Sequence, residues 1–248
     1  MADSKQDILG RLKNEILVMQ GGSMGRGKEQ INIGLDLVKE AFPQGCFPAA
    51  GIHEFISTGS ESKAVSGGFI AALLNGLLKS RGICVWISTS RILFPPALAT
   101  FGVPPDKIIF IDVKKENEAL WAMEEVLKCD GFAAVIGEIQ NISFTESRRL
   151  QLAVEQSRVT GFVLRNRQKN ISNIACVARW QISSLKSRLP GSMPGVGFPH
   201  WKVELLKVRN GKPGSWNVEW VNGSFRTIEE EKRQVLETAV FTETRKAG

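Results

Sequence analysis

The spacing of apolar positions changes character along the chain. Between residues 4 and 20, Ile8, Leu12, Ile16 and Met19 recur at helical intervals, with Lys5, Arg11, Lys13 and Glu15 elsewhere on the circumference. This predicts an amphipathic helix. The glycine-rich Gly21-Gly22-Ser23-Met24-Gly25-Arg26-Gly27 then ends it as a flexible linker would. A helix isolated in this way cannot bury its apolar face alone. Its receptor is either the chain's own core or another subunit or protein, which leaves self-association open.

From residue 51 the order is regular. Nearly continuous apolar runs at 52–56, 83–88, 108–112, 132–137 and 161–165 read as strands of a sheet covered on both faces. Helical patterns at 67–79, 116–128, 145–158 and part of 95–101 separate them. Alternating strand and helix predicts an α/β fold with a mainly parallel sheet covered by helices. After residue 174 the period shortens. Segments 176–182, 201–208 and 216–221 alternate and are rich in Trp, Val and Ile, with a Gly/Pro loop at Lys186–Pro199 and a turn signal at Asn210–Gly214. These predict antiparallel strands extending one edge of the sheet. The charged run Glu229-Glu230-Glu231-Lys232-Arg233 and the sparse Val235, Leu236, Val240 and Phe241 beyond it suit disorder or a helix that folds on a partner. The expected organisation is a helix and linker over 1–30, a core over 31–221 and a charged tail over 222–248.

One junction carries most of the chemistry. Between the strand His53–Ile56 and the helix that contains Phe69–Leu74 lies Ser57-Thr58-Gly59-Ser60-Glu61-Ser62-Lys63-Ala64-Val65. A working phosphate loop there reads G-x-x-x-x-G-K-[ST], because backbone N–H groups must close around phosphate and a hydroxyl must hold magnesium. Ser57 stands at the first glycine, Ser62 at the second, and Ala64 replaces the hydroxyl; Lys63 is retained. Lys63 is either an anion contact at a helix start or an exposed loop lysine. Gly22–Lys28 also fits the pattern, but a helix-like segment precedes it and Glu29 follows where Ser or Thr belongs. A nucleotide hydrolase also needs an acidic residue at the end of a buried strand. The strand Phe132–Ile136 ends in Gly137, and Glu138 comes one position late, which turns it to the opposite face unless a bulge intervenes. Trp86–Arg91 offers no glutamate after the second strand. The expectation is an NTPase-shaped module that does not hydrolyse nucleotide, with no catalytic residue, cofactor or metal.

Composition narrows the setting. Hydrophobic content of 43% and charged content of 23% over 248 residues are ordinary for a globular chain. No run approaches the roughly 18–20 apolar residues of a membrane span. The first residues lack a secretory pattern. Cys46, Cys84, Cys129 and Cys176 are dispersed, which favours buried free thiols over disulfides or zinc and points to the cytoplasm. A net charge of +7 suits nucleic acid, an acidic partner, or simply a basic surface. Arg165, Arg167 and Lys169, just after a predicted strand, are candidate nucleic-acid contacts. Lys202, Lys207, Arg209 and Lys212 lie near Trp201 and Trp216, which either stack bases or fill the antiparallel edge. His53 and His200 have no evident nucleophile or metal-ligand partner.

Leu35-Asp36, Cys46-Phe47-Pro48, Gly51-Ile52-His53-Glu54 and the altered loop together resemble the approach to the ATP site of RecA-like recombinases. Phe94–Ala99, Glu118–Glu125, Arg148–Ala153, Trp201–Leu206 and Gly211–Trp216 are similar to the ImuA family, RecA/SulA-like proteins of the bacterial inducible-mutagenesis cassette. The resemblance covers residues 31–221. It implies a RecA-like core acting as a non-catalytic accessory in SOS-induced translesion synthesis. The implied partners are ImuB, which is polymerase-like but lacks polymerase activity, an error-prone polymerase, RecA, and DNA. The segment around Arg165–Lys169 is shorter than a recombinase DNA-binding loop, and Arg209 and Lys212 sit where RecA places basic residues at a subunit interface. Two other functions fit the same core: a SulA-like cell-division inhibitor, and an active RecA-like ATPase.

Overall fold

The computed structural model describes residues 33–80, 82–166, 172–187 and 197–228. The helix read over 4–20, its linker, the second loop-like pattern at Gly22–Lys28 and the run from Glu229 onward lie outside the described residues.

The described residues build a nine-stranded sheet in the order β3-β2-β4-β5-β1-β6-β7-β8-β9. Strands β1 (Ile52–Ser57), β2 (Cys84–Ser88), β3 (Ile108–Asp112), β4 (Ala134–Glu138), β5 (Thr160–Asn166) and β6 (Ala178–Leu185) run parallel. Strands β7 (His200–Val208), β8 (Gly214–Val221) and β9 (Ser224–Thr227) continue the sheet as antiparallel neighbours. The class and the antiparallel edge are those expected from the pattern. Every residue of β1, β2 and β4 is buried, as unbroken apolar runs in a doubly covered sheet require.

Helices α1 (Ser60–Ser80), α2 (Glu116–Leu127) and α3 (Phe144–Ser157) connect the parallel strands. One apolar cluster joins α1 to Phe55, Trp86, Ile136, Phe162, Trp180, Trp201 and Val203. A second, on the other face, joins α2 and α3 to Ile52, Val85, Ile87, Val135 and Val163. Because consecutive strand residues point to opposite faces, this division gives the direction of every side chain at the strand ends. The 95–101 segment is a 3-10 helix, Pro95–Phe101, stopped by Gly102 in the left-handed region at φ 80°. It lies against α1 at Gly68, where an added Cβ would stand 3.1 Å from the Phe101 ring.

Two boundaries differ from the sequence reading. Helix α1 begins at Ser60 rather than at 67, so most of the loop has become its first turns. Strand β9 lies beyond residue 221, where the tail was expected to begin, and its Phe225 packs on Trp220 with ring centroids 4.8 Å apart. A strand this short, between the Asn222-Gly223 turn and a charged run, is held by pairing and one aromatic rather than by local propensity. No helix among the described residues is long and apolar enough to cross a membrane.

Candidate functional site

The junction of β1 and α1 is held by its own hydrogen bonds. Ser57 is buried, and its hydroxyl donates to the Ser62 carbonyl at 3.3 Å and pairs with the Ser66 hydroxyl at 3.1 Å. Gly59 supplies φ 91° for the sharp entry, and its N–H donates to Asn166 Oδ1 at 3.2 Å. The Lys63 N–H is already bonded to the Gly59 carbonyl at 3.2 Å. Ser60–Ser62, which a phosphate loop would leave as an open nest of amides, instead form the helix start. The Ser62 hydroxyl donates to the Ile182 carbonyl at 3.3 Å, away from any ligand. Glu61 places a carboxylate in the first turn, favourable to the helix dipole and repulsive to phosphate; it accepts from Ser184 Oγ at 2.6 Å. Ala64 is exposed and offers no hydroxyl for magnesium.

Glu138 is where the structure corrects the sequence reading. Ala134 and Ile136 point toward α1 and Val135 points away, so Glu138 points toward α1 as well. Position 137, assumed to be the one that faces the loop, faces α2: a Cβ there would come within 2.6 Å of Met123 Sδ. The carboxylate is therefore not turned away from the loop. Its Oε2 lies 2.7 Å from Lys63 Nζ, with Glu138 4% and Lys63 24% exposed. Its Oε1 accepts the Trp86 indole N–H at 3.1 Å. The lysine that would meet phosphate meets the protein's own carboxylate. The contact is an ion pair that neutralises the carboxylate, and Oε2 itself has almost no accessible surface. Lys63 is thus a buried-pair partner, which neither sequence reading of it foresaw. The phase Ala134–Ile136–Glu138 was the available signal.

Beside the pair opens a cavity of about 300 Å³ between α1 and the segment Ile92–Phe101. Its walls are apolar except at the Lys63–Glu138 end, and Ile92 and Phe94 stand exposed at its rim, 71% and 67% accessible.

The other sequence candidates are placed as follows. Arg165, expected to contact nucleic acid, is buried and donates from Nη1 to Glu54 Oε1 at 2.6 Å and from Nε to the Gln140 carbonyl at 3.1 Å. Its guanidinium is committed inside the fold; sheet neighbours distant in sequence captured it. Arg167 and Lys169 lie outside the described residues. Arg179 joins the same Glu54 carboxylate, which is itself fully buried. Trp201 is a core residue, stacked on Phe101 at 6.0 Å and edge-on to Phe69 at 5.5 Å. The Lys202 ammonium pairs with Glu204 at 2.9 Å.

His53 is a core histidine. Its Nδ1 accepts the Trp180 indole N–H at 3.2 Å, its Nε2 faces the Pro48 carbonyl at 3.0 Å, and Phe47 stacks on it at 4.4 Å. Burial pushes its pKa down to about 4 from the usual 6.5, against a smaller opposing effect of the Pro48 carbonyl. His200 is buried between Glu219 Oε1, at 2.7 Å, and the Lys186 carbonyl, at 3.1 Å. Cys84 and Cys176 are buried thiols, whereas the Cys129 thiol is exposed. No group of His, Cys, Asp and Glu among the described residues is arranged to hold a metal.

Fold and site together define an α/β scaffold in which the lysine at the β1–α1 junction is paired with a carboxylate of the neighbouring sheet. Relatives give that scaffold a family. Protein ImuA of Caulobacter vibrioides is 33% identical over 198 residues, 75% of this chain and 81% of that protein. The chain belongs to the ImuA family. The cell division inhibitor SulA of Photorhabdus laumondii is 30% identical over 81 residues, 33% of this chain and 46% of that protein. Among solved structures, SulA from Pseudomonas aeruginosa gives a TM-score of 0.41 at 20% identity, covering 48% of this chain and all of that one. No protein-family model matches the chain.

Proposed function

We propose that this chain is a non-catalytic, RecA-like adaptor of an SOS-induced translesion synthesis complex in the bacterial cytoplasm. In this reading it links an ImuB-type protein and an error-prone polymerase to RecA or DNA. Membership of the ImuA family supports the setting. The absence of catalysis is supported chiefly by one observation: the Lys63–Glu138 pair occupies the charge that a nucleotide would need, beside a loop already wound into helix. An adaptor needs surfaces rather than turnover. The segment beyond Ile228 is the proposed ImuB-binding element, because its charge and sparse apolar residues suit folding on a partner.

Truncation after Ile228 preserves β9 and therefore separates binding from folding. Surface-immobilised ImuB is expected to bind the full chain and to lose at least about tenfold in affinity for the truncated one. Equal affinity of the two chains would remove the tail from the interface. Because part of the chain is similar to a cell division inhibitor, expression in a growing culture provides the control. Filamentation that depends on the division ring would favour the SulA-like function instead.

A further inference from the structure

Positive charge gathers at one turn of the antiparallel edge. Many cations elsewhere face a carboxylate: Lys63 with Glu138, Arg91 with Asp112, Arg149 with Glu124, Arg165 and Arg179 with Glu54, and Lys202 with Glu204. Lys207, Arg209 and Lys212 are exposed and belong to no ion pair among the described residues, and Glu40, beside the turn's contact at Ala41, is equally unpaired. The turn that carries the three cations is rigid. The Arg209 N–H donates to the Val177 carbonyl at 2.8 Å and the Lys212 N–H to the Ala41 carbonyl at 2.9 Å. Asn210 takes the left-handed φ of 57°, and a Cβ on Gly211 would run into the Ala41 oxygen. Three like charges are thus held together on a fixed backbone, and an anion laid against them relieves their repulsion.

Strand β9 leads toward this turn. It pairs with β8 from Val221 opposite Ser224 to Val218 opposite Thr227, and the Ile228 N–H donates to the Asn217 carbonyl at 3.0 Å, so the register holds through Ile228. Each further residue in that register advances about 3.4 Å along β8. Glu229, Glu230 and Glu231 then come level with Trp216, Ser215 and Gly214, and Gly214 lies two residues from Lys212. No described residue pairs with Gly214–Trp216 on that side of β8. Lys232 and Arg233 follow and reverse the sign, which confines the attraction to the three carboxylates. We propose that Glu229–Glu231 run along β8 onto the Lys207, Arg209 and Lys212 turn and form an acidic strap over the chain's own anion-binding surface. The inference deepens the reading of the segment beyond Ile228 as the ImuB-binding element, and its consequence rests on that reading. A strap held on the turn is withheld from ImuB, and an ImuB-type protein that takes the strap uncovers the turn.

The test compares the full chain with the chain truncated after Ile228 by nuclear magnetic resonance, reading the backbone N–H signals of Lys207, Arg209 and Lys212. At low salt these signals are expected to differ between the two chains. At about 1 M salt, where the screening length falls to about 3 Å, the difference should vanish. A full chain carrying Glu229→Gln, Glu230→Gln and Glu231→Gln together should give the truncated chain's signals at low salt, which separates charge from the mere presence of the segment. Identical signals in the full and truncated chains would overturn the strap, and so would a difference that the three glutamines leave in place. A difference that fades on dilution would assign the carboxylates to a second copy and overturn the intramolecular contact. Signals that match in the two chains but move when a 20-residue oligodeoxythymidylate is added would give the turn to nucleic acid instead. No ImuB is present in these measurements, so a failure here is distinguishable from a tail that does not bind ImuB.

Discussion

Two buried carboxylates, Glu54 on β1 and Glu138 on β4, stand on opposite faces of the sheet and have opposite fates. Glu54 faces α3 and is gripped by Arg165 and Arg179, with Cys176 Sγ 3.8 Å from Oε2. Arg165 is held in turn by Gln140 and Ser172. Glu138 faces α1, accepts the Trp86 indole N–H and pairs with the partly exposed Lys63 ammonium beside a cavity. The first cluster sets two guanidinium groups on one carboxylate with their donors spent inside the fold, and it reads as structure. The second has a partly exposed ammonium as its counter-charge and adjoins a cavity. Buried charge alone therefore does not mark a functional site; a charged pair at the wall of a cavity is the more selective sign.

The comparison breaks most visibly at Glu54. Glu54→Ala leaves two guanidinium groups without their counter-charge, and the expected loss is about 4 kcal/mol in urea unfolding. A loss below about 1 kcal/mol would mean that water or relaxation compensates for the missing carboxylate.

His53, on the other face of β1, gives the next largest effect. Its folded pKa of about 4 lies below the ordinary 6.5, so the unfolded chain binds the extra proton first. Its contribution is fully present above pH 6.5 and is lost as pH falls from there toward 4. The total is roughly 3 kcal/mol for a shift of this size. Urea midpoints at pH 7, 5.5 and 4 should fall in that order, and His53→Gln should flatten the slope.

Lys63→Ala should cost about 1–2 kcal/mol, less than Glu54→Ala because the lysine is partly solvated. Glu138→Gln in the same chain should recover part of the loss, since the uncompensated charge is then gone. Additive effects in this double-mutant cycle would mean that the two side chains are not coupled. The smallest effect belongs to an exposed pair: Arg91→Ala, which breaks the 2.8 Å contact with Asp112, should leave the urea midpoint unchanged within error.

Much of this architecture is legible in residue order. Unbroken apolar runs such as Phe132–Ile136 give the buried parallel strands, and alternation at Trp201–Leu206 gives the antiparallel edge. The loop's lost glycines and hydroxyl are equally plain, because that chemistry is local. What escapes is set by tertiary packing. Ser60–Ser62 read as loop by analogy to phosphate sites, yet nothing in them resists helix once phosphate no longer holds the amides open. Glu138 is a different case: its facing was legible in the phase Ala134–Ile136–Glu138, and counting from Gly137 misplaced it. Arg165 reads as surface charge because its partner Glu54 is 111 residues earlier. Ser224–Thr227 makes a strand only because β8 offers an edge and the aromatic cluster accepts Phe225.

The central claim is that Glu138 has taken the place of phosphate at Lys63. It is tested most directly by calorimetric titration of ATP and ADP, with and without magnesium, into the wild-type chain and Lys63→Ala. The account predicts no binding heat under any of these conditions. Micromolar binding to the wild type that disappears in Lys63→Ala would contradict it, because the lysine would then be leaving Glu138 for a nucleotide.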